Sequence, residues 1–232
     1  FGGGAVATLE AVKECIRVAG TTAQVIQVGC IGLCAEEPLL DVQLPGKARL
    51  SLRQVTQDKV VGYLDAVFAD EIPAEAALMQ LSEEGLENWP SVPTWQEHPF
   101  FAPQERIVLK NCGLVDPENI GEYIARGGYQ ALATTLMNLT RAELCDQIEK
   151  SGLRGRGGGG FPTGKKWRFA LNTPSDQKFL ICNADEGDPG AFMDRAVIEG
   201  DPHRLLEGMA IAAYAIGASK AYVYIRAEYP LA

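Results

Sequence analysis

The chain has 232 residues, enough for two modest domains, and an ordinary globular composition with 47% hydrophobic and 22% charged residues. Its net charge of −9 argues against duplex DNA as a partner, so we expect no nucleic-acid binding. No apolar run reaches the roughly 18 residues that a transmembrane helix needs, and the N-terminal residues do not resemble a secretory signal. Six cysteines in a chain of this size favour reduced thiols and a cytoplasmic location.

The first 70 residues are predicted to form a small α/β unit. Apolar residues at helical spacing end at Gly20, alternating residues surround Pro45-Gly46, and Thr56 is a candidate helix cap before a second apolar run. The predicted elements, in chain order, are a helix over 5–19, a strand over 23–28, a hairpin of strands 38–44 and 48–55, and a helix over 56–68.

Residues 71–104 differ in composition from the first 70 residues, because they contain five prolines spread along the segment. Proline interrupts both helices and sheets, so this segment is predicted to be a linker. One amphipathic helix is predicted within it, over about 75–87.

Residues 105–232 are predicted to form a second unit with a parallel sheet. Asp116-Pro117 and Asp201-Pro202 have the pattern of helix starts, and Thr140 with Glu143 forms a capping box. The predicted elements are a strand over 106–111, helices opening at 116, 140, 163 and 201, and strands over 178–185 and 221–226. A strand, an apolar helix and another strand in succession indicate a parallel crossover.

The segment GLRGRGGGGFPTGKKWRF, residues 152–169, contains seven glycines and five basic residues. It satisfies G-x-G-x-x-G, but a helix rather than a strand precedes it. It also satisfies G-x-x-x-x-G-K, but Lys166 stands where a P-loop needs Ser or Thr. The N-terminus of the helix starting at Thr163, together with the basic residues, still predicts a site for an anion such as phosphate. A mobile linker is the alternative, which the packing groups Phe161 and Trp167 disfavour.

The segment NADEGDPGAFMDR, residues 183–195, places four carboxylates directly after a predicted strand. Ligands of open α/β sheets bind at the carboxyl ends of strands, so these groups could accept hydrogen bonds from ribose or ribityl hydroxyls. A hard-cation site and a solvated acidic turn are the alternatives. The four carboxylates are those of Asp185, Glu186, Asp188 and Asp194.

These two segments, with YIARGGYQAL at 123–132 and DPHRLLEGMAIAAYAIGA at 201–218, resemble the NADH-oxidising FMN subunit of the respiratory complex I family. Its soluble relatives are diaphorase subunits of NAD-linked hydrogenases and formate dehydrogenases. The resemblance implies a Rossmann-like FMN-binding domain over 105–232, truncated at its C-terminal end. It implies FMN-dependent oxidation of NADH, or the reverse, and a [4Fe–4S] cluster in a missing C-terminal region.

The resemblance also implies roles for individual residues. No side chain is expected to act as a general acid or base, because the flavin supplies the chemistry. Asp188 stands where some relatives have Glu, one methylene longer. The residues expected near the FMN phosphate and ring edge are Gly155, Arg156, Gly157 and Lys166. Those expected on the ribityl and isoalloxazine side are Asn183, Asp185 and Glu186. Those expected near the nicotinamide dinucleotide are Phe161, Phe169 and Asp188.

Residues 1–70 resemble the thioredoxin-like [2Fe–2S] domain that is fused ahead of the flavin unit in the soluble relatives. Such domains use a C-x4-C pair followed by a C-x3-C pair, and Cys30 and Cys34 match the second pair. The first pair would precede Phe1. Two thiols that bind no cluster are the alternative.

The partners implied are NAD or NADH and other iron–sulfur subunits of a redox complex. Two rival functions remain open from the sequence. One is a non-catalytic electron-wiring or scaffold subunit that retains the fold, which Lys166, Asn183 and Glu186 argue against. The other is a phosphate-binding enzyme of another kind, such as a kinase.

Overall fold

The computed structural model describes residues 4–232, which divide into two units. One unit comprises the chain up to Ile26 together with Ile31–Ile107, and the other comprises Gln27–Cys30 together with Val108–Ala232. Both contain helices and strands, which confirms the predicted α/β class. Within the described residues, every helix is too short or too polar to cross a membrane.

The first unit is a three-stranded antiparallel sheet with two helices. Leu50 and Leu52 of the middle strand are fully buried, and they pack with Val60 and Val67 of the second helix. The hairpin is in register from Leu40↔Leu52 to Val42↔Leu50, as the alternating pattern predicts. The elements are α1 (Ala5–Ala19), β1 (Leu40–Val42), β2 (Arg49–Leu52), α2 (Val60–Phe68) and β3 (Ala77–Leu81), with sheet order β1-β2-β3.

Two predictions for the first 70 residues are wrong. Residues 23–28 form no strand, and Val25, Ile26 and Val28 are exposed. An apolar run becomes a strand only where a neighbouring strand accepts its hydrogen bonds, and β1, β2 and β3 pair with one another instead. Thr56 does not cap α2, because residues 57–59 form a turn and the helix begins at Val60.

The prediction of a linker over 71–104 is also wrong. The helix predicted over 75–87 is instead the strand β3, which pairs with β2 from Arg49↔Leu81 to Leu52↔Ala77. Trp89 is only 1% exposed, and its indole Nε1 donates to the carbonyl of Ala48 at 2.8 Å. The prolines therefore mark turns of a packed segment of the first unit.

The second unit surrounds the helix α8 with five other helices and a parallel pair of strands. Strands β4 and β5 are in register from Phe179↔Lys220 to Ala184↔Ile225, and α7 and α8 connect them as the predicted crossover. The elements are α3 (Ile120–Ala125), α4 (Gln130–Asn138), α5 (Arg141–Lys150), α6 (Thr163–Asn172), β4 (Phe179–Ala184), α7 (Met193–Gly200), α8 (Pro202–Ile216) and β5 (Lys220–Ile225).

The helix starts at 140 and 202 follow their sequence signals. Thr140 Oγ1 accepts a hydrogen bond from the amide of Glu143 at 3.3 Å, and the Glu143 carboxylate accepts from the amide of Thr140 at 2.9 Å. Pro202 occupies the first turn of α8, as predicted.

Two other predictions for the second unit are wrong. Residues 106–111 are turns rather than a strand, and α3 begins at Ile120 with Asn119 as its cap, not at Asp116.

The segment YIARGGYQAL has a packing role in this unit. A Cβ atom on Gly128 would lie 2.1 Å from the ring of Tyr123, so only glycine fits there. The carboxylate of Glu207 on α8 accepts hydrogen bonds from Tyr123 Oη at 2.5 Å and from the amides of Tyr129 and Leu132 at 2.9 and 3.1 Å. A buried side chain of α8 thus satisfies amides at the start of α4.

Candidate functional site

The glycine-rich segment forms a loop that is closed at its base by three hydrogen bonds. The amide of Gly155 donates to the carbonyl of Phe161 at 2.9 Å, and the amide of Thr163 donates to the carbonyl of Leu153 at 2.9 Å. Arg154 Nε donates to the carbonyl of Gly160 at 2.5 Å. The chain reverses its direction between these hydrogen bonds. This turn needs glycine, since Gly158 and Gly160 have positive φ values of 95° and 58°.

The loop leads directly into the N-terminus of α6, where glycine allows a close helix contact. A Cβ atom on Gly164 would lie 2.4 Å from the backbone nitrogen of Glu149, so Gly164 lets the first turn of α6 lie against α5. The first amides of a helix have no partner within it and carry its positive dipole. The loop and this helix start together can accept an anion.

The basic residues of this segment divide into two groups. Arg154 is used within the loop, and Arg168 forms ion pairs with Asp146 and Glu149 of α5. The other three side chains are exposed, and within residues 4–232 they make no ion pair or hydrogen bond. They leave three positive charges available to a bound phosphate. These residues are Arg156, Lys165 and Lys166.

Space and flat apolar surface lie beside these charges. A Cβ atom on Gly157 would meet nothing within 4 Å, so packing inside the chain does not require glycine there. Phe161 and Phe169 are 50% and 63% exposed, and their ring centroids lie 6.4 Å apart. Exposed aromatic rings next to an anion site suit a ligand with a flat ring system.

The acidic loop begins at the carboxyl end of β4, and its side chains are partly engaged. Asn183 Oδ1 accepts from the amide of Asp185 at 3.2 Å. Asp188 is exposed. Burial raises the pKa of Asp194, and the nearby carboxylate of Glu186 raises it further.

Glu186 is the most constrained residue of the acidic loop. Its carboxylate accepts from the amides of Asp194 and Arg195 at 2.8 and 3.2 Å, at the start of α7. Tyr229 Oη donates to the same carboxylate at 3.0 Å, and Arg226 Nη1 donates to the carbonyl of Glu186 at 2.9 Å. Sequence reasoning missed Arg226 and Tyr229. Their position after β5 could have indicated them, because parallel strands end at the same edge of a sheet and the residues after β5 therefore lie near the acidic loop after β4.

The structure brings some of the predicted residues together and leaves others apart. Gly155 contacts the backbone of Phe161, Phe161 lies near Phe169, and Asn183 bonds to Asp185. In the part of the chain that the structure describes, no hydrogen bond or ion pair joins residues 153–164 to residues 183–188.

The carboxylates of the acidic loop do not gather as ligands of a hard cation. Among the described residues, no three of these carboxylates lie close enough together to share a metal ion. Cys30 and Cys34 have the sequence spacing of the C-x3-C half of a cluster ligand set.

A glycine loop at a helix N-terminus and an acidic loop at the end of a parallel strand define an α/β unit of the class that binds phosphate-bearing cofactors. Residues 148–232 match the family model Complex1_51K, the Nuo51 FMN-binding domain. This match confirms the resemblance noted from the glycine and acidic segments.

Named relatives agree with the family model. The chain is 62% identical over 129 residues to the NADP-reducing hydrogenase subunit HndC of Solidesulfovibrio fructosivorans, covering 56% of this chain and 26% of the relative. It is 55% identical over 124 residues to the F subunit of NADH-quinone oxidoreductase from Aquifex aeolicus (strain VF5), covering 53% and 29%. It is 47% identical over 104 residues to the NAD-reducing hydrogenase HoxS subunit alpha of Cupriavidus necator, covering 45% and 17%. The chain therefore spans less than a third of the length of these relatives.

Proposed function

We propose that the chain is part of an FMN-dependent subunit that oxidises NADH, or reduces NAD, within a multi-subunit redox complex. The observation that carries the proposal is that the residues matching the family model also contain the candidate anion site. Residues 148–232 match an FMN-binding domain, and the same residues contain the loop with three uncommitted positive charges at a helix N-terminus. The relatives named as NAD- or NADP-linked oxidoreductase subunits favour NAD(H) as the second ligand.

The proposed roles follow from charge and shape. Arg156 and Lys166, with the first amides of α6, would bind the FMN phosphate, and Gly155 and Gly157 would let the ligand approach the backbone. When bound, FMN supplies the ability to exchange a hydride with nicotinamide and single electrons with iron–sulfur clusters. The protein's task is to hold the two ring systems in contact and to exclude water.

The remaining residues would orient the ligands. Asn183 and Asp185 would accept hydrogen bonds from ribityl hydroxyls, and Glu186 would place a negative charge near the isoalloxazine. Phe161 and Phe169 would flank the dinucleotide, with Asp188 beside it. The exposure of the two rings and of Asp188 supports these assignments.

The iron–sulfur part of the proposal rests on Cys30 and Cys34. Their spacing in the sequence, with three residues between them, suits two ligands of one [2Fe–2S] cluster. We further propose a cytoplasmic location, other iron–sulfur subunits as partners and a [4Fe–4S] cluster outside this chain.

The test of the proposed function is cofactor content. The full-length protein, purified after growth with riboflavin, should show flavin absorption that NADH bleaches. A scaffold subunit would show no flavin absorption, and a kinase would require magnesium and ATP. Absence of flavin after reconstitution with FMN would contradict the proposal.

Replacing Lys166 by alanine is expected to weaken FMN binding about tenfold, because the loss of one charge-assisted hydrogen bond to phosphate corresponds to about that factor. Flavin fluorescence titration of the full-length apoprotein measures the change. Lys150→Ala is the matched control, since Lys150 is an exposed lysine at the end of the preceding helix. Equal affinity of Lys166→Ala and the wild type would remove Lys166 from the flavin site.

Replacing Cys30 by serine is expected to abolish the electron paramagnetic resonance signal of a reduced [2Fe–2S] cluster. NADH-dependent reduction of an artificial acceptor should persist, because Cys30 is not among the proposed flavin residues. Cys15→Ala is the control, since Cys15 lies in the core of the first unit and should leave the signal intact. An unchanged spectrum of Cys30→Ser would refute the ligand assignment.

A further inference from the structure

We infer that Tyr229 and Arg226 are positioning residues that hold Glu186, and with it the acidic loop, in the geometry that binds the flavin. The inference rests on the proposed function for the role of the loop, and on the observed hydrogen bonds for the support itself. Neither residue belongs to the glycine loop or the acidic loop.

The acidic loop is closed at its base by Glu186. The Glu186 carboxylate accepts hydrogen bonds from the amides of Asp194 and Arg195, so residues 187–192 form a loop between the glutamate and the start of α7. Glu186 has a φ of 37°, a left-handed conformation that is unfavourable for a residue with a Cβ atom. Such a conformation persists only where surrounding contacts hold it.

The segment after β5 supplies those contacts at two points. Arg226 Nη1 donates to the carbonyl of Glu186 at 2.9 Å, which restrains its backbone. Tyr229 Oη donates to Glu186 Oε2 at 3.0 Å, which restrains its carboxylate, and lies 3.5 Å from the carbonyl of Ala191 across the loop. One tyrosine hydroxyl thus reaches both the base and the far side of the acidic loop.

Tyr229 is itself held in place. It is 9% exposed, and the guanidinium groups of Arg195 and Arg226 lie 5.3 and 5.5 Å from its ring centroid. Arg195 bonds to Glu199 at 3.0 Å, and Arg226 pairs with Glu228 at 3.2 Å. A buried ring that contacts two anchored cations has little freedom, so its hydroxyl is presented to Glu186 in one position.

The charge of Glu186 explains why this support matters to a flavin. A carboxylate beside a flavin ring affects both its affinity and its reduction potential, and a displacement of the carboxylate changes that electrostatic effect. A tyrosine that fixes the carboxylate therefore acts on the cofactor through Glu186, without touching the cofactor itself.

The first test needs no cofactor. In the full-length apoprotein, Tyr229→Phe keeps the ring but removes the hydroxyl, so hydrogen exchange at the amides of Asp194 and Arg195 should accelerate about tenfold. Arg226→Gln should have the same effect. Tyr222→Phe is the matched control, since Tyr222 is a half-exposed tyrosine of β5 whose hydroxyl makes no hydrogen bond within the described residues. Unchanged exchange in Tyr229→Phe would overturn the inference.

A double variant tests whether Tyr229 acts through Glu186. Glu186→Gln alone should accelerate exchange at the same backbone amides. The NH2 group of the new glutamine side chain would replace one of the two oxygens that accept their hydrogen bonds. Adding Tyr229→Phe to Glu186→Gln should then produce little further change. Additive effects would show that Tyr229 acts by another route and would overturn the inference.

The second test uses bound FMN. Tyr229→Phe should raise the Kd for FMN several-fold and shift the flavin midpoint potential in the direction that Glu186→Gln shifts it, while Tyr222→Phe changes neither. If Tyr229→Phe accelerates amide exchange but leaves the Kd for FMN and the flavin midpoint potential unchanged, the inference that Tyr229 supports flavin binding is overturned. A wild-type protein that binds no FMN would contradict the proposed function, and the exchange measurements would still decide whether the support exists.

Discussion

Replacing Glu207 by glutamine is expected to lower the free energy of unfolding by about 2–3 kcal/mol at neutral pH, since a buried carboxylate loses charge-assisted hydrogen bonds. Glu207 accepts from Tyr123 Oη and from the amides of Tyr129 and Leu132. Glutamine has only one acceptor oxygen. Its NH2 group would therefore face one of these hydrogen-bond donors, and that hydrogen bond would be lost. Urea denaturation of both proteins measures the difference.

The same substitution has an expected pH dependence. Burial alone would raise the pKa of Glu207, but the hydrogen bonds from Tyr123 and from the backbone outweigh it and lower the pKa below its ordinary value of 4.5. The stabilisation is therefore present above that value and is lost as the pH falls through the lowered pKa. The difference between the two proteins should shrink in acid, where the carboxyl group of the wild type is neutral too.

Glu118→Gln is the control for this prediction. Glu118 is exposed at the turn before α3, and its removal should change the free energy of unfolding by less than about 0.5 kcal/mol. A Glu207→Gln protein as stable as the wild type, or a difference that does not vary with pH, would show that the carboxylate does not support α4.

Replacing Gly164 by alanine is expected to destabilise the second unit by about 1–3 kcal/mol, as overpacking of a close contact does. The new Cβ atom would lie 2.4 Å from the backbone nitrogen of Glu149 and 2.6 Å from its Cα atom. Backbone atoms cannot move aside as a flexible side chain can, so α5 and α6 must separate. Because α6 begins at the glycine loop, FMN affinity should fall as well.

Gly208→Ala provides a control of opposite sign. Gly208 lies within α8, and a Cβ atom there would meet nothing within 4 Å. Alanine favours the helix over glycine by about 1 kcal/mol, so this variant should be slightly more stable. The midpoints of thermal unfolding of the two variants should therefore move in opposite directions. Destabilisation of similar size in both would indicate that the close contact at Gly164 is not responsible.

Much of the secondary structure follows from short-range signals in the sequence. The capping box at Thr140, Pro202 in the first turn of α8 and the end of α1 at Gly20 were all predicted from a few adjacent residues, and the structure has them. These three signals predicted the helix ends correctly because the groups that satisfy each other lie within one turn of chain. The signals at Thr56 and Asp116 did not, since α2 and α3 begin later. The glycine loop was recognisable for a similar reason, since its composition is itself the unusual feature.

The failed predictions of strands and of the helix over 75–87 share one physical cause. Apolar runs at 23–28 and 106–111 look like strands, whereas residues 77–81, predicted as part of a helix, form β3. A strand exists only when another strand supplies its hydrogen bonds, and that partner can be far away in sequence. The short run around Met79 could be helical or extended, and its pairing with β2 decides the outcome.

The amino-acid sequence by itself determined the α/β class, the end of α1, the starts of α5 and α8, and the two segments that form the candidate site. The tertiary structure alone decided which charges remain available. Arg168 is taken by Asp146 and Glu149 of α5, whereas Lys165 and Lys166 on the same helix stay exposed. It also placed Tyr229 against Glu186, 43 residues earlier in the chain. Contacts of this kind depend on how parallel strands align their ends, and no local pattern of residues encodes that alignment.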